Sequence, residues 1–331
     1  MKAIVLSSRP VGTPTLANFE FREYTGNREP LPVGSIRVRP RWFSVDPYMR
    51  GRMNDAPSYI SPFQVGEPIT SEAIAEVIES STDAYEIGEL VRTHLPWAEE
   101  STVEARLTTK IPNGDLSPTV YLGALGMPGL TSYVGLFTVG ALKPEDIVFI
   151  SGAAGAVGSL ASQIAKVNGN YVIGSVGSNE KVNQLEALGI DAVFNYRETD
   201  PRQALRLLAP TGIDLYFDNV GGSHLEAAIA SLRTFGKVSL CGAISQYNSD
   251  TTVPGPSNFE GNVITKRLRV EGFIVSDHRD VREEFEENMT KWISSGRVKV
   301  LETVLMGFDK LPEAFLGLFK GTNMGKMLVQ V

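Results

Sequence analysis

One cysteine, Cys241, is all that the 331 residues contain, so an intramolecular disulfide is impossible and no oxidising compartment is called for. The three histidines, His94, His224 and His278, lie far apart and share no ligand spacing with that cysteine. This excludes a structural zinc cluster and argues against a catalytic one. Positive charge is also short: 31 lysines and arginines against 38 acidic residues leave a net charge of -7, which recommends neither nucleic acid nor an anionic membrane as a partner. No apolar run approaches the roughly 20 residues that span a bilayer. The opening MKAIVLSSRP has neither the apolar stretch nor the cleavage site of a signal peptide. A cytoplasmic location is therefore expected.

What is present suits a globular protein of two domains. Hydrophobic residues make up 42% of the chain and charged ones 21%, proportions that fill cores rather than sustain disorder. Up to about Tyr121 the chain shows short β-like runs, Met1 to Leu6, Ser35 to Ser44, Ala73 to Glu79 and Leu90 to Leu95, separated by Pro and Gly. From Ser132 the pattern changes to strands alternating with helices. Strands are predicted at Ile147–Ile150, Tyr171–Val176, Ala192–Asn195, Leu215–Asp218, Lys237–Leu240 and Val270–Val275. Helices are predicted at 132–140, 179–188, 200–208, 224–232 and 279–295. That alternation implies an α/β fold whose six mostly parallel strands form one doubly wound sheet. The tail from Val298 returns to β-like character around a short helix at 311–319, so the chain is expected to cross back and complete its first domain.

The most informative stretch is Ile147 to Asn195. A buried strand, a turn punctuated by Gly152, Gly155 and Gly158, and a helix with Leu160, Ile164 and Val167 on one face form a nucleotide-binding βαβ unit. Such a turn lets backbone approach a pyrophosphate, and the helix N-terminus supplies N–H donors and a positive dipole end. Ala153 stands where the general dinucleotide fingerprint has its first glycine, so the flanking strand and helix carry the reading. At the end of the second strand an NAD enzyme usually places a carboxylate for the ribose 2′-hydroxyl. Here Gly177, Ser178 and Asn179 stand there, with Lys181 one turn on. NADP(H) is favoured, although Lys181 also reads as a solvated helix lysine, and Glu180 as a first-turn residue complementing the dipole.

Ligands of open α/β sheets sit beyond the carboxyl ends of the strands. The strand ends here are glycine-bearing, polar or aromatic: 152–158, 177–181, Asn195-Tyr196, 218–222, 241–247 and Phe273-Ile274-Val275. Hydride transfer needs no protein nucleophile, so the chain need only position and polarise. For an activated C=C bond the charge that develops is an enolate, which a positioned hydroxyl stabilises. Tyr48, Tyr59 and Tyr247 are candidates, each also readable as a packing aromatic. Arg50 and Arg52 could hold a substrate carboxylate or pair on the surface.

The segments VDPYMRGRM, GMPGLTSY, GAAGAVGS, GSNEK, FDNVGG, CGAISQYN and GTNMGKMLV, in that order along the whole chain, resemble the zinc-independent medium-chain reductases, in the branch of prostaglandin, leukotriene, alkenal and curcumin reductases. The resemblance implies an NADPH-dependent reductase of α,β-unsaturated ketones or aldehydes, usually a homodimer. It implies a GroES-like domain over 1–123 and 299–331 beside a Rossmann NADP-binding domain over 124–298. Carried over by motif, Gly155, Ala156, Val157 and Gly158 bind pyrophosphate. Gly177, Ser178, Lys181 and Tyr196 serve the adenosine phosphate end. Asn219 with Cys241, Gly242, Ala243, Ile244, Ser245, Gln246 and Tyr247 line the cofactor path, and Phe273, Ile274, Val275 and Asn323 approach the nicotinamide. Eukaryotic members place a tyrosine for the enolate where this chain has Thr265, in VITKRLRVEGF. The donor role therefore passes to Tyr48, with Tyr59 second and the cofactor ribose hydroxyl as a further alternative. Quinone reduction on the same scaffold and cofactor binding without turnover are the alternatives.

Overall fold

A computed structural model describes residues 1–23, 30–251 and 253–331. In chain order it has strands β1 (Lys2–Leu6), β2 (Phe19–Glu23) and β3 (Ser35–Ser44), a short helix α1 (Met49–Arg52), then β4 (Thr70–Ser80), β5 (Leu90–Pro96), β6 (Ser101–Glu104) and β7 (Thr109–Lys110). Helix α2 (Met127–Tyr133) runs on as a π-helix, Val134–Val139, into the alternating part. That part comprises β8 (Ile147–Ile150), α3 (Ala156–Val167), β9 (Tyr171–Val176), α4 (Asn179–Ala187), β10 (Ala192–Asn195), α5 (Pro201–Leu208), β11 (Ile213–Asp218), α6 (Gly222–Ser231), β12 (Leu232–Leu240), α7 (Phe259–Lys266), β13 (Arg269–Gly272) and α8 (Arg282–Ser294). The chain closes with β14 (Glu302–Met306), α9 (Leu311–Lys320) and β15 (Lys326–Gln330).

Two compact units result: Met1–Leu122 with Thr303–Thr322 and Lys326–Val331, and Gly123–Glu302 with Asn323–Gly325. In the first unit a seven-stranded sheet runs β14-β15-β3-β4-β5-β7, with β6 also on β3. Its core gathers Phe43, Met49, Met53, Phe63, Trp97 and Phe315, all buried. The register of β3 on β4 shifts between Pro40 and Trp42, because Pro40 has no N–H to give the ladder and forces an irregularity.

The second unit is the doubly wound sheet. Its strand order is β10-β9-β8-β11-β12-β13, and the pairings are parallel. Strand β8 reads IVFI without alternation because helices cover both faces of a parallel sheet. Strand order reverses between β8 and β11, where the chain leaves β8 toward one side and returns on the other. Leu160 and Ile164 of α3 are buried, with Val167 half-buried at its end.

Several elements differ from expectation; β11 and β12 begin earlier, at Ile213 and Leu232, and three further differences have a local cause. The helix predicted from Ser132 begins at Met127, started by Pro128 in its first turn, a position where the missing N–H costs nothing. The strand predicted over Val270–Val275 ends at Gly272, because its last partner, Leu240, ends β12. Phe273 and Ile274 therefore lie in a loop and Val275 opens a short 3-10 turn. Helix α7 was not predicted: Phe259 and Val263 pack against the core, but none of its residues is fully buried and the apolar pattern spans a single turn. Among the described residues, no helix is long and apolar enough to cross a membrane.

Candidate functional site

The glycine turn is built by close approach of backbone to backbone. Gly152, at φ +59°, lies against Asn219 Cβ and Val220 Cγ2, each 3.5 Å from where its own Cβ would stand. A Cβ on Gly158 would fall 2.2 Å from the Gly152 carbonyl oxygen, so only glycine lets the first turn of α3 sit on the loop it caps. Gly155 is the N-cap and offers no capping side chain, which leaves the helix N-terminus to an external anion. Ala153 is fully buried, and a Cβ on Gly174 of β9 would meet its methyl at 3.0 Å. The glycine missing from the turn is offset by a glycine in the neighbouring strand. Gly155, Ala156, Val157 and Gly158 thus form one backbone cradle at the start of α3.

Asn323 belongs to this unit too. Its side-chain amide donates to the Gly325 carbonyl at 2.8 Å, and Gly325 N–H donates to Ala154 O at 2.8 Å. Gly325 is at φ +67°, and a Cβ there would lie 1.9 Å from the Leu301 carbonyl oxygen. Asn323 therefore braces the segment that docks on the glycine turn.

A buried carboxylate joins this turn to the next. Asp218 ends β11 at 1% exposure and accepts from Tyr216 Oη at 2.7 Å, Gly221 N at 2.7 Å, Val220 N at 2.9 Å and Ser151 Oγ at 3.2 Å. Burial raises its pKa against those bonds. Asn219 donates its side-chain amide to Ser151 O at 2.8 Å. The segment 241–247 folds over that loop. Ile244 N–H donates to Asn219 O at 3.2 Å and the Ser245 hydroxyl to Val220 O at 2.5 Å, while Gln246 Nε2 stands 3.2 Å from a Cβ position on Gly221. The Tyr247 hydroxyl accepts from Ala243 N at 3.3 Å and lies 3.1 Å from a Cβ position on Gly242. Cys241 N–H and Gly242 N–H both donate to Asp218 O at 2.9 Å. Burial and the Asp218 charge push the Cys241 thiol up to about 12, so it is a protonated, unreactive group at neutral pH.

At the far side, Ser178 caps α4, its hydroxyl accepting from Lys181 N at 3.4 Å. Burial first and Arg197 second lower the Lys181 pKa. The Tyr196 hydroxyl lies 3.0 Å from a Cβ position on Gly177, and its ring stands edge-on to His224 at 5.1 Å. Phe273 is less open than its strand-end reading implied: its ring packs edge-on against Phe217 at 6.5 Å and crowds Gly135. Ser151, Arg197 and Gly325 were not singled out from sequence, and Asp218 was read only as part of the strand end 218–222. Asp218 ends β11 and Ser151 follows the last residue of β8, positions visible in the pattern; Gly325 carries no local signal.

The first unit holds a separate cluster. Tyr48 is half-buried before α1, and burial followed by the Asp46 carboxylate raises its pKa, against the lowering effect of Arg52. Tyr59 is 62% exposed. Arg50, 3% exposed, donates to Asn54 Oδ1 at 2.6 Å and Gly12 O at 2.8 Å. Arg52 donates to Ser61 O at 2.9 Å and Thr70 Oγ1 at 3.1 Å and lies over the Phe63 ring at 4.0 Å. Both arginines brace loops. The Thr265 hydroxyl, in the second unit, donates to Gly261 O at 2.6 Å within α7, so its proton is spent on its own helix.

Residues 2–111 match the family described as the N-terminal domain of oxidoreductase, and residues 156–295 match that described as zinc-binding dehydrogenase. Among the described residues, no group of three or more His, Cys, Asp or Glu could hold a metal ion. Prostaglandin reductase 1 of Mus musculus is 40% identical over 99% of this chain and 98% of its own length. The NADP(+)-dependent 2-alkenal reductase of Nicotiana tabacum is 40% identical over 100% and 97%. Among solved structures, CurA from Vibrio vulnificus in complex with NADPH superposes with a TM-score of 0.93 at 36% identity, covering 100% of this chain and 99% of that one.

Proposed function

The chain belongs to the medium-chain dehydrogenase/reductase family, in the branch of the prostaglandin, alkenal and curcumin reductases, and on that premise we propose that it is an NADPH-dependent reductase of the C=C bond of α,β-unsaturated ketones and aldehydes. The observation that carries the reading is the glycine cradle, where a Cβ on Gly158 would strike the Gly152 carbonyl at 2.2 Å beneath an uncapped helix N-terminus. Those residues fit a dinucleotide pyrophosphate. When bound, NADPH supplies a hydride to the β-carbon of the substrate.

The chain's own residues do the rest. Gly155 to Gly158 hold the pyrophosphate, and Gly177, Ser178, Lys181 and Tyr196 hold the adenosine end. Asn219, Cys241 to Tyr247, Phe273 to Val275 and Asn323 line the cofactor path and position it. In the first unit the Tyr48 hydroxyl, kept protonated by burial and by Asp46, donates a hydrogen bond to the substrate carbonyl oxygen and stabilises the enolate that develops there. Tyr59, 62% exposed, is the alternative candidate for that one role. Protonation of the α-carbon then completes the saturated carbonyl product. The unit from Met1 to Leu122 with the chain's last strands is the substrate-handling domain, and that from Gly123 to Glu302 is the NADP-binding domain. A homodimer acting in the cytoplasm on a small-molecule substrate is the form this reading implies.

The test is NADPH oxidation over a panel of enones, enals and quinones, with product mass. Saturated ketones and aldehydes support the reading; allylic alcohols from the same substrates, or turnover of quinones alone, overturn it.

A further inference from the structure

Beyond the last residue of β10, the segment 196–199 is held by its backbone N–H groups and by the Glu198 carboxylate. Tyr196 N–H donates to Val176 O at 3.0 Å, and its ring stands edge-on to the buried His224. Arg197 N–H donates to Asn195 Oδ1 at 3.1 Å. Asn195 Nδ2 donates to Asn179 Oδ1 at 3.0 Å, and Asn179 Nδ2 donates to Glu198 Oε1 at 2.7 Å. Glu198 N–H closes the turn on Asn195 O at 3.1 Å. Asn179 opens α4, so these bonds tie the segment to the helix turn that carries Lys181.

The one charged side chain of the segment without a partner among the described residues is Arg197. Among the described residues, the Arg197 guanidinium has no hydrogen bond or ion pair, and it is exposed. The carboxylate beside it, Glu198, is spent on the neutral amide of Asn179. An arginine next to an acid ordinarily pairs with it; here the acid is used to set the loop and the cation is left over. Lys181 is near enough to feel that cation, and the repulsion helps lower its pKa. Two like charges that feel one another across this segment cost free energy until an anion arrives to share them.

We propose that Arg197 is a second cation for the ribose 2′-phosphate, acting beside Lys181 and setting the preference for the phosphorylated over the unphosphorylated dinucleotide; this rests on the NADPH reading above. The chemistry suits it. A 2′-phosphate carries nearly two negative charges at neutral pH, more than one lysine point charge matches, and the guanidinium fork can bind two of its oxygens at once. Tyr196, clamped against His224, directs its hydroxyl to the same strand end at Gly177.

The experiment measures Kd for NADPH and for NADH in wild type, Arg197→Met and Arg197→Lys by fluorescence titration, with Tm recorded for each. Loss of a charge-assisted pair should raise the NADPH Kd about tenfold or more in Arg197→Met while moving the NADH Kd less than about twofold. Arg197→Lys should recover part of the loss, and the salt dependence of NADPH binding should become shallower in Arg197→Met. Equal weakening toward both cofactors would assign Arg197 a merely structural role and overturn the proposal, as would an unchanged NADPH Kd. A wild-type protein that binds both cofactors equally would overturn the NADPH reading itself, a result distinct from either.

Discussion

Nζ of Lys326 lies 2.8 Å from Oδ1 of Asp46, and their side chains are only 3% and 6% exposed. The other two ammonium protons reach Val45 O at 3.0 Å and Met327 O at 3.2 Å, while the second carboxylate oxygen accepts from the Ser44 hydroxyl. The pair thus fastens β15 to the stretch that leads into Tyr48. A buried ion pair adds little over an apolar pair, but breaking one strands a charge. Lys326→Met should cost about 3–5 kcal/mol of unfolding free energy, and adding Asp46→Asn should restore much of it. Urea unfolding measures both, and a double variant no more stable than the single one would contradict the reading.

Gly158 and Gly177 give a graded test of the cradle. An alanine at 158 meets backbone at 2.2 Å, whereas one at 177 meets the end of the Tyr196 side chain at 3.0 Å. Gly158→Ala should weaken NADPH binding by about two orders of magnitude, and Gly177→Ala should cost far less because the tyrosine can shift. Equal losses in titrations of the two variants would count against the geometry.

Tyr48→Phe removes the hydroxyl and keeps the ring. If that hydroxyl stabilises the enolate, kcat with a saturating enone should fall about 10²-fold while the NADPH Kd stays put. Tyr59→Phe, at an exposed position, should change kcat little. An unaltered kcat/KM in Tyr48→Phe would remove that residue from the mechanism.

His224 ties stability to pH. It is 4% exposed, and burial lowers its pKa to about 4, opposed by the Asp200 carboxylate; unfolded, the ring titrates near 6.5. Between those values the unfolded chain holds a proton that the folded chain does not. Unfolding free energy should therefore fall as pH drops from about 6.5 toward 4, by up to about 3 kcal/mol. His224→Phe keeps the contacts with Tyr196 and Phe149 and should flatten that fall. Urea midpoints at pH 7 and 4.5 would show it, and identical drops in both proteins would refute the assignment.

The βαβ core was legible because its determinants are local. Strand β8 is apolar throughout, and the predicted limits of β9 and β10 match those observed. Elements with tertiary determinants were not legible. Strand β13 stops where β12 stops, a fact about register rather than composition. Asn219 and the segment 241–247 read as aligned strand ends, and the structure joins them directly. The buried Asp218 that organises them looks, in sequence, like any turn aspartate, because burial depends on Tyr216 and Ser151 arriving from other positions. Arg197 was passed over for the same reason: its uncommitted charge appears only once Glu198 is seen bonded to Asn179.

The central claim is tested most directly by isotope labelling. The protein would be run with NADPH deuterated at nicotinamide C4 and an acyclic enone, in ordinary water and then with the labels reversed in D2O. NADPH-dependent alkene reduction predicts cofactor deuterium at the β-carbon of the saturated ketone and solvent deuterium at the α-carbon. Cofactor deuterium on the carbonyl carbon of an allylic alcohol, with the C=C bond intact, would contradict it.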